Sequence, residues 1–260
     1  MNTWLKITGY QVRDVLRSRG VLLYGAALLL LTQGLLVYGG DPFKALLSLT
    51  NVVLVLVPLV SITFGASYVY GTRPFTELLL SQPVARGTLY AALYGGLAIP
   101  LVGAFLVGIG APFLFVPGTP WGTLLVLLAV GALLTVVFAA LATWIAVGVE
   151  DRLRGVGLSL LLWLGFTVLY DAGVLLAVRS FSAYPLEGPV LTAMVFNPVD
   201  LARVVLLLEF DLSAMLGYTG ALFEQVFGTA LGLGLALGLL LLWTAAPAWM
   251  GGRAFRAKDF

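Results

Sequence analysis

Apolar residues in this chain come in long blocks, with little of the alternation that marks half-buried strands. The segment "VLLYGAALLLLTQGLLVY" runs from Val21 to Tyr38 without a single charge. Glycine, proline and charged residues divide the chain into six such blocks, at 20–40, 47–70, 89–115, 122–149, 155–178 and 221–250. Each matches the ~20 residues that a helix needs to cross a hydrocarbon layer about 30 Å thick. The third, fourth and sixth are long enough to tilt or to project past the lipid. A transmembrane barrel needs short alternating strands, and continuous blocks argue against it. The pattern therefore predicts an all-α polytopic membrane protein with six transmembrane helices in a single domain, 1–260.

Composition sharpens this reading. The 260 residues are 61% hydrophobic and only 10% charged, against about 25% charged in an ordinary soluble domain, and the mean hydropathy is +1.06. With no cysteine and no histidine, disulfides, thiolate metal sites, bis-histidine haem and histidine-based copper or zinc sites are excluded, which removes most redox functions; no metal site is expected, and no residue stands out as catalytic. The first apolar block lacks a small-residue cleavage site, and the first helix is expected to stay. Orientation follows from the basic residues. With a cytoplasmic N-terminus, Lys6, Arg13, Arg17, Arg19, Arg73, Arg86, Arg152, Arg154, Arg253, Arg256 and Lys258 lie inside, and only Lys44, Arg179 and Arg203 lie outside. Both termini are thus expected in the cytoplasm. The formal net charge of +2 reflects this sorting and does not indicate nucleic-acid binding.

The connecting pieces carry patterns of their own. Residues 3–18 read as an amphipathic interfacial helix, with Trp4, Leu5, Val12, Val15 and Leu16 on one face and Lys6, Arg13 and Arg17 on another. It serves either as a basic lipid anchor or as a helix that also meets a cytoplasmic partner. The loop 72–88 begins with Thr72 as a candidate N-cap and Pro74 in the first turn, and Pro83 disfavours helix at Gln82. A short helix over about 73–81 follows. So short a helix is unstable alone, so the face carrying Phe75, Leu78 and Leu79 must lie on lipid, on neighbouring spans or on another protein. In the extracytoplasmic segment 180–220, Asn197 caps a helix, Pro198 suits its first position, and Asp200 complements its positive end.

The stretch "TELLLSQPVARGTLY", after a second span ending "GASYVYG", resembles the first cytoplasmic loop of ABC-2 type transporter permeases. The resemblance implies a coupling helix that docks a separate cytoplasmic ATPase through Phe75, Thr76, Glu77, Leu78, Leu79, Leu80, Ser81, Gln82, Pro83 and Arg86. Two departures stand out: Thr72, Arg73 and Pro74 replace the acidic residues common before this helix, and Ala91, Ala92 and Leu93 replace a lysine at the start of span three. The run "FNPVDLARVVLLLEFD" is similar to the "NP-x-D-x-x-R" run before the last span of NosY-type permeases, membrane subunits of a transporter that supports nitrous oxide reductase copper-site maturation. With "FSAYPLEGPVLTAMV", it implies an outer re-entrant or surface helix containing Asn197, Pro198, Asp200 and Arg203. That segment is either a cap over the bundle or a platform for an extracytoplasmic accessory protein.

Within the apolar blocks, charge is sparse. Asp171 and Glu224 either line an external vestibule or sit solvated at the headgroups. Gly228, Gly232, Gly234 and Gly238 have the four-residue spacing that permits close helix packing, within a subunit or along a dimer seam. No Walker-type loop and no soluble domain large enough to hydrolyse ATP is present. ATP and magnesium are therefore expected in a partner chain, and this chain is expected to hold no cofactor of its own. The resemblance implies a homodimer in a bacterial or archaeal cytoplasmic membrane, with lipid, the ATPase and an outer accessory protein as partners. The competing reading is a non-transporting anchor subunit of a respiratory complex.

Overall fold

A computed structural model describes residues 3–180, 192–210 and 230–258, with side chains given from 7 to 180, 192 to 210 and 234 to 258. Among them are helices and no strands. Helix α1 (Thr3–Arg17) leads into α2 (Arg19–Gly39), α3 (Pro42–Gly71), the short α4 (Arg73–Leu80), α5 (Arg86–Phe113) and α6 (Trp121–Gly148). Then α7 (Arg152–Leu164) runs through a π turn (Gly165–Leu169) into α8 (Tyr170–Ser180), and α9 (Pro198–Glu209) and α10 (Ala230–Ala257) complete the set. Six of these segments are long and apolar enough to cross a membrane, with α7, the π turn and α8 together forming the fifth span.

Local chemistry explains the ends. Ser18 caps α2 by accepting from the Val21 amide, and Gly40 closes it with φ 68°. Asp41 accepts from the Phe43 amide with Pro42 in the first turn, so α3 begins five residues before the expected position. Lys44 is part of its first turn rather than of a loop. The last helix continues to Ala257, past the expected limit of 250, because Gly251 and Gly252 do not end it. A Cβ at Gly251 would lie 2.3 Å from the Tyr90 hydroxyl oxygen, so these glycines make room for the Tyr90 ring.

Helix α6 is the centre of the bundle, packed on α3, α5, α7, α9 and α10. Close approaches depend on single glycines. A Cβ at Gly131 of α6 would fall 2.1 Å from the Phe105 ring, at Gly65 of α3 2.8 Å from the Ala142 Cβ, and at Gly108 of α5 2.8 Å from the Leu28 Cβ.

In α1, among the residues whose side chains are described, which leave out Trp4, Leu5 and Lys6, Thr8, Gln11 and Val15 are buried, whereas Leu16 is 46% exposed. The reason is Gly96, over which the Gln11 side chain lies so closely that a Cβ would come within 2.5 Å of it. A glycine groove on α5 thus accepts the more polar face and leaves Leu16 outside.

Helix α9 is inserted into the bundle, with eight of its twelve residues buried. Its Phe210 end meets Phe43 at 5.5 Å, at the start of α3, and Glu209 accepts from Thr123 at the start of α6. Its Asn197 end reaches the π turn, midway along the fifth span.

Overpacking a tight helix crossing costs about 1–3 kcal/mol. Gly131→Ala should accordingly lower the thermal unfolding midpoint in detergent. Gly103→Ala, where nothing lies within 4 Å, should leave it nearly unchanged.

Candidate functional site

Two polar assemblies lie at different depths of the bundle. The first surrounds α4. Pro74 sits in its first turn and Thr72 holds the expected N-cap position, its carbonyl accepting from the Thr76 amide at 2.9 Å. The Thr72 hydroxyl makes no cap bond and donates back to the Tyr68 and Val69 carbonyls, at 3.1 and 3.2 Å. Thr76 is buried, and Leu79 and Leu80 pack on a small cluster of Leu89, Tyr90, Val147 and Phe255. Phe75 and Leu78 point away from the bundle, 49% and 60% exposed. Glu77, Ser81, Gln82 and Pro83 are exposed beside them.

Arg73 fastens this helix to α6. Its guanidinium donates to the Ala146 carbonyl at 2.7 Å, to that of Val149 at 2.6 Å, and to that of Glu150. The last turn of a helix leaves carbonyls without internal donors, and one planar fork here serves Ala146 in that turn, Val149 at the C-cap and Glu150 just beyond it. The same guanidinium lies 4.3 Å from the centre of the Tyr70 ring, whose hydroxyl also donates to Val149 at 3.0 Å. A Cβ at Gly155 would meet that hydroxyl at 1.7 Å, so the first turn of α7 is fitted to the same assembly. The end of the chain closes it: Lys258 donates to the Val147 carbonyl at 3.0 Å. Arg86, at the start of α5, donates to the carbonyls of Arg256 and Lys258 at 3.1 and 2.7 Å.

The second assembly joins α9 to the fifth span. The Asn197 side chain accepts from the Val199 amide at 2.9 Å and donates to the Phe166 carbonyl at 2.8 Å and to Asp200 at 3.0 Å. The widened π turn offers that carbonyl to a donor outside its own helix, a geometry frequent at functional sites. One guanidinium nitrogen of Arg203 bridges Asp171 and Asp200, 2.8 Å from each. Burial, outweighing the Arg203 charge, pushes the Asp200 carboxyl up to about 7, and Asp171 adds to the rise. The Tyr170 hydroxyl donates to the Ala193 carbonyl, and the Trp243 indole of α10 to that of Val195 at 3.0 Å.

No protein-family model matches the chain. Two known proteins align with it almost end to end. The probable ABC transporter permease protein NosY of Pseudomonas aeruginosa is 28% identical over 269 residues, which cover 95% of this chain and 96% of that protein. The protein of the same description from Stutzerimonas stutzeri is 27% identical over 271 residues, covering 96% and 95%. Over nearly its whole length the chain is similar to NosY-type ABC transporter permeases.

In this chain the expected coupling residues divide into two sets. Phe75, Glu77, Leu78, Ser81, Gln82 and Pro83 form an outward strip, whereas Thr76, Leu79 and Leu80 hold the helix to the bundle. Arg86 belongs to the clamp on the chain end. Asp171, read from sequence as lining a vestibule or solvated at the headgroups, is joined to Asp200 and Arg203 of α9. Glu224 and Gly228 lie outside the described residues, as does most of "FSAYPLEGPVLTAMV", and the surroundings of Gly232 are likewise undescribed. At Gly234 and Gly238, no described atom lies within 4 Å of a built Cβ, so neither makes a close helix contact with the described residues of its own chain. Sequence reading missed the Arg73 fork, although the signal was present: Arg73 stands three residues after Tyr70, where a family resemblance would put acid.

Hydrogen bonds to a charged group contribute about 1.5–3 kcal/mol each when buried, and the partial exposure of Arg73 reduces this. Arg73→Ala should destabilise the protein by about 2–4 kcal/mol, seen as a lower unfolding midpoint. Arg73→Lys should recover only part of that, because an ammonium cannot fork to three carbonyls.

Proposed function

We propose that this permease works as a homodimer with two cytoplasmic ATPase subunits, each docked on the outward strip of one α4. The division of α4 into a clamped side and a free apolar side carries this reading. A helix of eight residues does not hold its shape alone, and here Arg73, Thr76, Leu79 and Leu80 hold it. Phe75 and Leu78 are then left projecting at a position where a membrane chain has no need of them. The distribution of basic residues favours a cytoplasmic position for the end of the bundle that bears α4.

Closure of the ATPases would press on α4. The fork of Arg73 would carry the displacement into the end of α6, and not only into the flanking α3 and α5. The fifth span, whose side chains are largely unburied within one subunit, supplies the surface for a second copy. Its work is either export of a substrate or action on an extracytoplasmic partner docked over α9. The likeness to NosY proteins favours a part in metalloenzyme maturation, nitrous oxide reductase included. No cargo follows from the residues themselves.

The test is co-purification from nanodiscs of tagged permease with a nucleotide-binding subunit expressed alongside it. Wild type should retain the ATPase, and Phe75→Ala with Leu78→Asp should lose it while keeping the wild-type elution profile, since both side chains are exposed. If a well-folded wild type brought down respiratory subunits and no ATPase, the transporter reading would be replaced by the anchor.

A further inference from the structure

The link between α9 and the fifth span has more negative charge than positive. Asp171 and Asp200 share one nitrogen of Arg203, so with both carboxyl groups ionised the cluster carries a net charge of −1. Asp200 is 4% exposed and lies among Val199, Leu201 and Ala202, each 1% exposed or less. An unpaired charge in such surroundings costs several kcal/mol.

Nothing else among the described residues supplies the missing positive charge. From the fifth span, Tyr170 and Asp171 face the cluster; Arg203 and Asn197 face it from the α9 side. Helix α6 contains no charged residue, α10 has Arg253 and Arg256 only at its other end, and α3 has only Lys44, in its first turn.

We propose that Asp171 and Asp200 form a proton-binding latch, in which one proton held between the two carboxyl groups, with Arg203 across them, keeps α9 seated against the fifth span. With the proton in place the cluster is neutral. Its loss to water leaves the net charge of −1, which undocking of α9 relieves by hydrating both carboxylates. The direction of the Asp200 shift agrees. A carboxyl raised in the docked state stabilises that state fully below its solvated pKa, and the contribution is lost as pH rises toward about 7. Docking therefore weakens with rising pH and levels off above neutrality. On the orientation proposed above, the compartment sensed is the outer one.

The chain has no cysteine, so a single reporter thiol can be placed at will. Val204→Cys, at a site 3% exposed, would be labelled with a water-soluble maleimide in nanodiscs from pH 5 to 8, with and without Asp171→Asn. That variant removes one of the two negative charges, so Asp200 paired with Arg203 is neutral without a bound proton. The ratio of the two rates cancels the ionisation of the thiol itself. It should rise by up to about tenfold per pH unit and flatten near pH 7, as the release of one proton requires. The same pH profile in both backgrounds would overturn the latch.

Infrared difference spectroscopy gives an independent reading that does not depend on one variant. Wild type should show a protonated-carboxyl stretch at pH 5 that disappears by pH 8, and Asp200→Asn should lack it. If wild type shows no such band, or if the variant retains it unchanged, the proposal fails.

Discussion

A backbone carbonyl without a donor cannot be left to water inside a bilayer, and the tertiary structure is organised around the places where helices leave one. At the end of α6, Arg73, Tyr70 and Lys258 supply the donors. In α3, Pro58 has no amide to offer the Leu54 carbonyl, and at the next residue the Trp163 indole donates to the Val55 carbonyl at 3.1 Å. At the π turn, Asn197 serves Phe166. Each donor comes from an element distant in sequence. Apolar packing in lipid gives little orientational preference, so these few directed bonds set how the helices are registered against one another.

That constraint accounts for the character of α4. Its stability comes from the groups on its inner side and not from propensity, and so its outer side is free to carry residues selected for a partner. The same logic applies to α9, whose burial demands that Asp200 be met by Asn197 and Arg203. In both cases a short helix is made rigid by side chains that a long helix would not need.

How much of this was legible depends on whether the signal was local. The six spans were readable because charge-free blocks of that length have one physical solution. Helix α4 was readable because Pro74 and Pro83 bracket it, and the start of α9 because Asn197 and Pro198 form a cap that needs no tertiary context. What escaped were pairings across the bundle. Gln11 lies buried because Gly96 offers a groove, which the amphipathic pattern of residues 3–18 could not show. The glycine series of the last span drew notice by its spacing, yet Gly234 and Gly238 have no close described neighbours, while the unpatterned Gly131 and Gly155 lie in the tightest fits. Spacing reveals a stripe; only the partner reveals whether anything fills it.

The spans that pack on α6 all carry breaks. Helices α3, α5 and α10 contain internal prolines, at Pro58, at Pro100 and Pro112, and at Pro247, and the fifth span contains the π turn. These are the features at which helices bend. Helix α6 has neither, and no charge, over 28 residues. It is also the element to which Arg73 ties α4 at one end and against which α9 packs toward the other. An uninterrupted helix in the centre, ringed by helices able to flex, is the arrangement in which displacement at one end reaches the other without being absorbed between.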